Sequence, residues 1–383
     1  MAVFVGTRAD LGPLSPVLAA LDAAVDVDAD VLTGVAFTSS DLESALPPSD
    51  TTWSGRIHCI APPVHEVTPE LMVSQGSVIS GGTARVLRDI GAQVLVVLGD
   101  RWELLYVVPP AYLLGLPIVH LHGGEVTEGA IDERVRHAIS KLADQHCVAS
   151  ADAGARLRQM GEPIERIHRT GAPGLDRLIS GESLSDAELG VLIQAEVSRP
   201  VALFTYHPPT AQRGAPVGRW AREAAEATLN ICGTVIGTYP GMDEGRDEII
   251  TSLRDLANGQ PRFRFIEAFG RDYPRVLRSV DVVVGNSSSG IIEAATVHAP
   301  VVNVGARQQG RLHGDNVIDV AEGFDAVTRG LAEALTPGFA ARCTEVVNPY
   351  GAGDATARIL SVVRMAPASA RAKPFIDPTV EST

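Results

Sequence analysis

Short apolar runs rich in Val, Ile and Leu alternate along the chain with longer amphipathic stretches, the arrangement expected of parallel sheets joined by crossover helices. In the first half, the runs at 2–5, 31–33, 93–98, 117–121, 146–149 and 167–169 read as strands. Several show no polar alternation, as in Val94-Leu-Val-Val-Leu98, which fits strands buried on both faces. Helical periodicity falls between them, at 84–90, 102–114, 131–143 and 151–160. The pattern loosens through Gly171-Ala-Pro-Gly174 and the polar stretch 180–198, then restarts. Strands follow at 201–206, 234–238, 264–266, 282–284 and 301–304, and helices at 219–230, 247–258, 273–279, 288–298 and 325–334.

Two strand–helix series of similar length predict an α/β chain of two Rossmann-like domains, with parallel sheets facing a central cleft. The expected limits are 1–175 and 176–366, and the Pro-containing tail 367–383 is expected to be mobile. Ligands of such sheets bind outside the carboxyl ends of the strands, so polar residues at strand ends are the first candidates for chemistry.

A length of 383 residues agrees with two domains of roughly 150–200 residues. With 45% apolar and 20% charged residues, each half can bury a core without a metal or disulfide framework. The formal net charge of −14 argues against a nucleic-acid partner, although a mononucleotide needs only a few cations and a helix terminus. Cys59, Cys147, Cys232 and Cys343 show no paired spacing and read as small buried hydrophobes in a reducing compartment. No basic-then-apolar leader opens the sequence, and the apolar run 107–119 is broken by Pro109, Pro110 and Pro117. A cytoplasmic location without membrane association is therefore expected.

Nearly every polar cluster follows a strand. Gly285-Asn-Ser-Ser-Ser-Gly290 lies between an apolar run and a helical one, where free N–H groups and the hydroxyls of Ser287 and Ser288 suit a phosphate. Glu293 follows in the same helix, in reach of ribose hydroxyls. Arg8 closes the first strand, and Asp100 and Arg101 end a buried one, where unpaired charge is costly. Those two also have the simple option of pairing with each other. His120-Leu-His-Gly-Gly-Glu125 and Asp132 form the densest group, with Arg136, His137 and Lys141 on the helix that follows. Asp132 and Arg136 share a face at i,i+4 spacing. The His-x-His spacing lacks the remaining ligands of a zinc site, so acid–base work is favoured and no metal is expected. His207 and Arg307 end strands of the second half and add a titratable group and a cation.

Taken together, these motifs closely resemble the hydrolysing UDP-N-acetylglucosamine 2-epimerases. The resemblance runs from Gly6 to about Asp319. It rests on Gly-Thr-Arg-Ala-Asp, Gly-Asp-Arg-Trp-Glu, His-Leu-His-Gly-Gly-Glu, Asp-Glu-x-x-Arg-His-Ala-Ile-Ser-Lys, Gly-Asn-Ser-Ser-Ser-Gly-Ile-Ile-Glu and Arg-Gln-x-Gly-Arg, in the family's order. The resemblance implies a GT-B fold, no cofactor, and a homodimer or homotetramer. It also implies release of UDP and a free 2-epimeric sugar of the N-acetylmannosamine type, by elimination and then hydration. Sialic or legionaminic acid formation is the implied setting. The substrate is UDP-N-acetylglucosamine or a 2,4-diacetamido relative. A hydrolase without epimerisation and a GT-B glycosyltransferase are the alternatives.

Carried over by position, Arg8, Arg101, His207, Ser287, Ser288, Glu293 and Arg307 resemble nucleotide-binding residues. Asp100 and Asp132 resemble the catalytic carboxylates, and either His122 or Glu125 completes the acid–base set, with His207 as a further candidate. Gly12, Gly241 and the segment Ala268-Phe-Gly-Arg271 depart from common family residues, and this bears on the identity of the sugar.

Overall fold

The computed structural model describes residues 1–46, 53, 55–64, 67–179, 181–212, 214–369 and 372–377. Among these residues the chain divides into two compact units. The first holds Met1–Val126, Asp132–Asp176 and the described residues from Tyr350 on; the second holds Thr127–Ile131 and Arg177–Pro349.

The first unit is built on a seven-stranded parallel sheet in the order β3-β2-β1-β4-β5-β6-β7. Its strands are β1 (Ala2–Phe4), β2 (Asp30–Thr33), β3 (Ile57–Cys59), β4 (Leu95–Leu98), β5 (Ile118–Leu121), β6 (Gln145–Val148) and β7 (Ile167–Arg169). The second unit carries six parallel strands in the order β10-β9-β8-β11-β12-β13. They are β8 (Val201–Thr205), β9 (Thr234–Thr238), β10 (Phe263–Ile266), β11 (Val282–Gly285), β12 (Val301–Val304) and β13 (Val317–Val320). The continuous apolar runs are central strands, buried on both faces by helices. In each unit the winding reverses once, between β1 and β4 and between β8 and β11. Those reversals open the crevices that doubly wound sheets use for ligands.

The carboxyl end of the chain corrects the expected boundary at 366. Helix Ala355–Met365 belongs to the first unit, where Ile359, Val362 and Val363 share a core with Val3, Leu14 and Leu18. Asp176 fixes its start: the two carboxylate oxygens accept the amides of Ala355 at 3.1 Å and Thr356 at 2.7 Å, groups that a helix leaves unsatisfied. Of the tail expected to be mobile, residues 372–377 lie against the first unit: the Ile376 amide donates to Gly161 O at 2.9 Å, and Phe375 packs at Gly161. Residues 370–371 and 378–383 of that expected tail lie outside the described residues.

Other elements escape the pattern reading for identifiable reasons. Helix Arg8–Asp22 contains Pro13 and Pro16, yet it forms because its leucines are buried and the break is repaired locally. Pro16 has no N–H for Gly12 O, and the Ser15 hydroxyl donates to that carbonyl at 2.9 Å. The polar stretch 180–198 holds helix Asp186–Ile193, opened by Ser185 and Glu188 in a reciprocal capping box. The expected helix 288–298 is a short α-helix, Ser288–Ile292, followed by the tighter turn Ala294–Val297. Cys59 is exposed, unlike the other three cysteines, and all four are free thiols. Among the described residues no helix is long and apolar enough to cross a membrane.

Candidate active site

In the first unit the polar residues collect at the ends of β1, β4 and β5. Gly99 leaves β4 with φ 78°, a left-handed conformation that turns the chain so that Asp100 follows the strand end directly. Asp100 is held by Arg136 from helix Asp132–Leu142, whose Nε and terminal nitrogen both donate to the same carboxylate oxygen, Nε at 3.0 Å. The other terminal nitrogen donates to Glu125 O at 2.7 Å and to Glu133 at 2.6 Å. The Arg136 side chain is 1% exposed. Burial opposes its charge, but Asp100, Glu125 and Glu133 outweigh that and hold its pKa above the ordinary guanidinium value. The i,i+4 spacing points Arg136 at Asp132; the groups that tie it down are Asp100, Glu133 and the Glu125 carbonyl. Arg101 turns to the fully buried Glu103, Nε to Oε1 at 2.9 Å, rather than answering Asp100 alone.

The two histidines of the His-x-His pair do different things. His120 is inside the sheet, with Nε2 at 2.7 Å from Gly99 O and Nδ1 at 3.1 Å from the Ser140 hydroxyl. The carbonyl can only accept, so Nε2 carries the proton and Nδ1 accepts from serine. Burial drives its pKa down to about 3, so it is a neutral structural post under Asp100. His122 has φ 63° and presents Nδ1 to Glu125 at 2.5 Å, both side chains nearly enclosed. That is an imidazole–carboxylate pair able to share a proton. Among the described residues no group of three or more His, Cys, Asp or Glu is placed to hold a metal ion. Asp132 is half-buried at the first turn of its helix, near the positive end of the dipole.

At the end of β1, Arg8 is exposed as the first residue of its helix. Beneath it lies Asp10, whose Oδ2 accepts the amides of Gly6 at 3.1 Å and Thr7 at 2.8 Å. Burial raises the Asp10 pKa to about 6, against the pull of Arg101 and the Thr7 bonds. Gly6 has no room for a side chain: a Cβ there would lie 2.7 Å from Glu103 Oε1. Asp10 and Glu103 were not singled out by spacing, although a capping position and a buried strand-end acid are the signals that mark them.

The second unit repeats the plan at β8 and β11. Gly285, at φ 127°, passes so close to β8 that a Cβ would meet Thr205 O at 2.0 Å. Asn286 then extends the pairing with its side chain: Oδ1 accepts the His207 amide at 2.6 Å and Nδ2 donates to His207 O at 2.8 Å. Its own carbonyl accepts from Arg307 at 3.0 Å and Gln308 at 2.9 Å. One buried asparagine thus ties together His207, Arg307 and the serine turn. His207 Nδ1 accepts the Gly241 amide at 2.9 Å, which leaves Nε2 as the protonated nitrogen. Residue 241 contributes only its backbone amide to that bond, so glycine there keeps it.

Ser287 and Ser288 are half-buried at the start of the short helix, and Ser287 Oγ accepts the Ser289 amide at 3.3 Å. Glu293 is buried, with one oxygen on Arg177 at 3.0 Å and the other on the Ser289 hydroxyl at 2.6 Å. Tyr273 also bonds Ser289 and lies under the Arg177 guanidinium. The expectation that Glu293 serves ribose hydroxyls therefore meets a carboxylate already held by Arg177 and Ser289, residues that spacing gave no reason to join.

A profile of the family described as UDP-N-acetylglucosamine 2-epimerase matches residues 65–364. A UDP-N,N'-diacetylbacillosamine 2-epimerase (hydrolyzing) of Legionella pneumophila is 36% identical over 287 residues, 75% of this chain and 74% of that protein. A GDP/UDP-N,N'-diacetylbacillosamine 2-epimerase (hydrolyzing) of Campylobacter jejuni is 31% identical over 60% of this chain and 61% of its own length. Among solved structures, the S. aureus MnaA-UDP co-structure aligns over 98% of this chain and 99% of that one, with a TM-score of 0.77 at 15% identity, a likeness of fold.

Proposed function

This chain belongs to the UDP-N-acetylglucosamine 2-epimerase family, and on that premise we propose that it hydrolyses a UDP-linked N-acetylated amino sugar to UDP and the free 2-epimer. A base takes the proton from sugar carbon 2, the C–H electrons form a double bond to carbon 1, and the bond from carbon 1 to the diphosphate oxygen breaks. UDP leaves with that electron pair. Water then adds across the double bond, its oxygen to carbon 1 and a proton to the opposite face of carbon 2. Such a sequence needs proton-handling groups and stabilisation of the departing anion.

The observation that carries this reading is the set of titratable groups at the ends of β4 and β5: Asp100 fixed by Arg136, the His122–Glu125 pair, and Asp132 at a helix start. In the proposal Asp100, Asp132 and the His122–Glu125 pair move protons. In the second unit Ser287, Ser288 and Arg307 hold the nucleotide and His207 donates through Nε2; in the first, Arg8 and Arg101 are the candidate cations for an anion. Glu293 acts by keeping the serine turn in place through Ser289. The identity to the Legionella pneumophila and Campylobacter jejuni proteins favours a 2,4-diacetamido sugar over N-acetylglucosamine.

The test is turnover of UDP-N-acetylglucosamine and UDP-N,N'-diacetylbacillosamine in deuterated water, followed by NMR. The expected products are UDP and a free sugar with deuterium at carbon 2 and inverted configuration there. UDP release with no label at carbon 2 would reduce the activity to plain hydrolysis, and release that depends on an added acceptor would mark a transferase.

A further inference from the structure

The helix that carries Asp132, Glu133 and Arg136 is fastened at its other end by a residue 230 positions further along the chain. Lys373 donates from Nζ to the carbonyls of Lys141 at 2.9 Å and Ala143 at 2.6 Å, with Ser140 O at 3.4 Å. A helix leaves its last four carbonyls without partners and gathers negative potential there, so an ammonium on that terminus satisfies both needs. The same ammonium reaches Glu162 at 2.7 Å, with 15% of its side chain exposed.

Glu162 is fully buried and also accepts from Lys141 at 2.5 Å and His146 at 2.9 Å. Burial opposes its charge, but these three donors hold its pKa down at about 2. The neighbouring residues pin Lys373 in place. One edge of the largely exposed Phe375 ring rests on Gly161, where a Cβ would lie 2.4 Å from it, and the Lys141 ammonium sits 5.1 Å from the ring centre. The line of contact continues inward, because Ser140 bonds His120 and His120 bonds the carbonyl that precedes Asp100.

We propose that Lys373 is a positioning residue: with Phe375 it straps the C-terminal end of helix Asp132–Leu142 and so sets where Arg136 holds Asp100. Backbone hydrogen bonds link each turn of helix Asp132–Leu142 to the next, so a shift at residues 140–143 is passed to Arg136. This inference rests on the epimerase reading only for its catalytic consequence.

The experiment compares wild type with Lys373→Met, Lys373→Arg and Phe375→Ala. Hydrogen exchange of the free protein is measured first, and needs no substrate. Amides of residues 138–142 should exchange about tenfold faster in Lys373→Met and Phe375→Ala, while those of helix Val217–Ile231 stay unchanged. Turnover of the UDP sugar that wild type processes is measured next. In Lys373→Met kcat should fall about 5- to 20-fold with KM within twofold, and Lys373→Arg should restore most of it. Unchanged exchange at 138–142 overturns the strap, and faster exchange with unchanged kcat overturns the positioning role. If wild type turned over no UDP sugar, the epimerase reading would fail, and the exchange result alone would decide the strap.

Discussion

Asp100 and Asp132 are both candidates for proton transfer, but their surroundings differ enough to separate chemistry from architecture. Asp132 is half-buried at a helix start, whereas Asp100 neutralises a guanidinium that is 1% exposed. Asp132→Asn should lower kcat by about 10²-fold or more, the range lost with an acid–base group, and leave Tm nearly unmoved. Asp100→Asn should lower kcat at least as far and also destabilise the fold by about 1.5–3 kcal/mol, since a buried charge loses a bonded partner. Turnover and urea unfolding of both variants check the contrast; equal stability losses would show that Arg136 does not depend on Asp100. The candidates themselves were legible in the sequence because charge at the end of a buried strand has few structural excuses. Their partners were not. Helical spacing names Asp132 for Arg136, and only the juxtaposition of β4 with the helix after β5 supplies Asp100.

Strands and helices were legible where hydrophobic runs were long, and hidden where a tertiary contact overrode a local signal. Helix Arg8–Asp22 survives two prolines because its leucines are buried, and β3 and β13 are edge strands of only three and four residues. β5 shows the opposite case, a polar residue inside an apolar strand. His120 is buried neutral with its pKa near 3, whereas an unfolded histidine titrates near 6.5. Between those values the unfolded chain binds a proton that the folded chain refuses, so acid draws the equilibrium toward unfolding. The stability that neutral His120 leaves intact above pH 6.5 is lost as pH falls from there toward 3. His120→Gln keeps a donor for Gly99 O and removes the titration. Urea unfolding between pH 7 and 4.5 should therefore fall less steeply in the variant, by up to about 1.4 kcal/mol per pH unit. Parallel curves would mean that His120 titrates in the fold as it does in the unfolded chain. Asp10 works in the reverse direction: its pKa of about 6 lies above the unfolded value, so its burial disfavours folding most above pH 6 and less as pH falls toward 3.8.

At the scale of the whole molecule, sequence periodicity gave two α/β units but not where each begins and ends. Periodicity records which residues face a core, and it cannot say which core; the last helix therefore reads as a continuation of the second series although Asp176 and helix Arg8–Asp22 hold it in the first. Removing the chain after Pro349 tests this assignment. The cut strips Ile359, Val362 and Val363 from a core they share with Leu14 and Leu18, and each buried aliphatic side chain contributes about 1.5–3 kcal/mol. It also removes Lys373 from the terminus of helix Asp132–Leu142. Their sum rivals the 5–15 kcal/mol, roughly, by which a whole domain is stable, so the first unit should lose its cooperative transition. The second unit loses no core side chain. Buried Trp53 and Trp102 belong to the first unit and Trp220 to the second, so single-tryptophan versions of the shortened chain report the two separately. The Trp220 signal should keep a sharp urea midpoint, and the Trp102 signal should show none. A Trp102 midpoint within experimental error of the full chain would return residues 350–366 to the second unit.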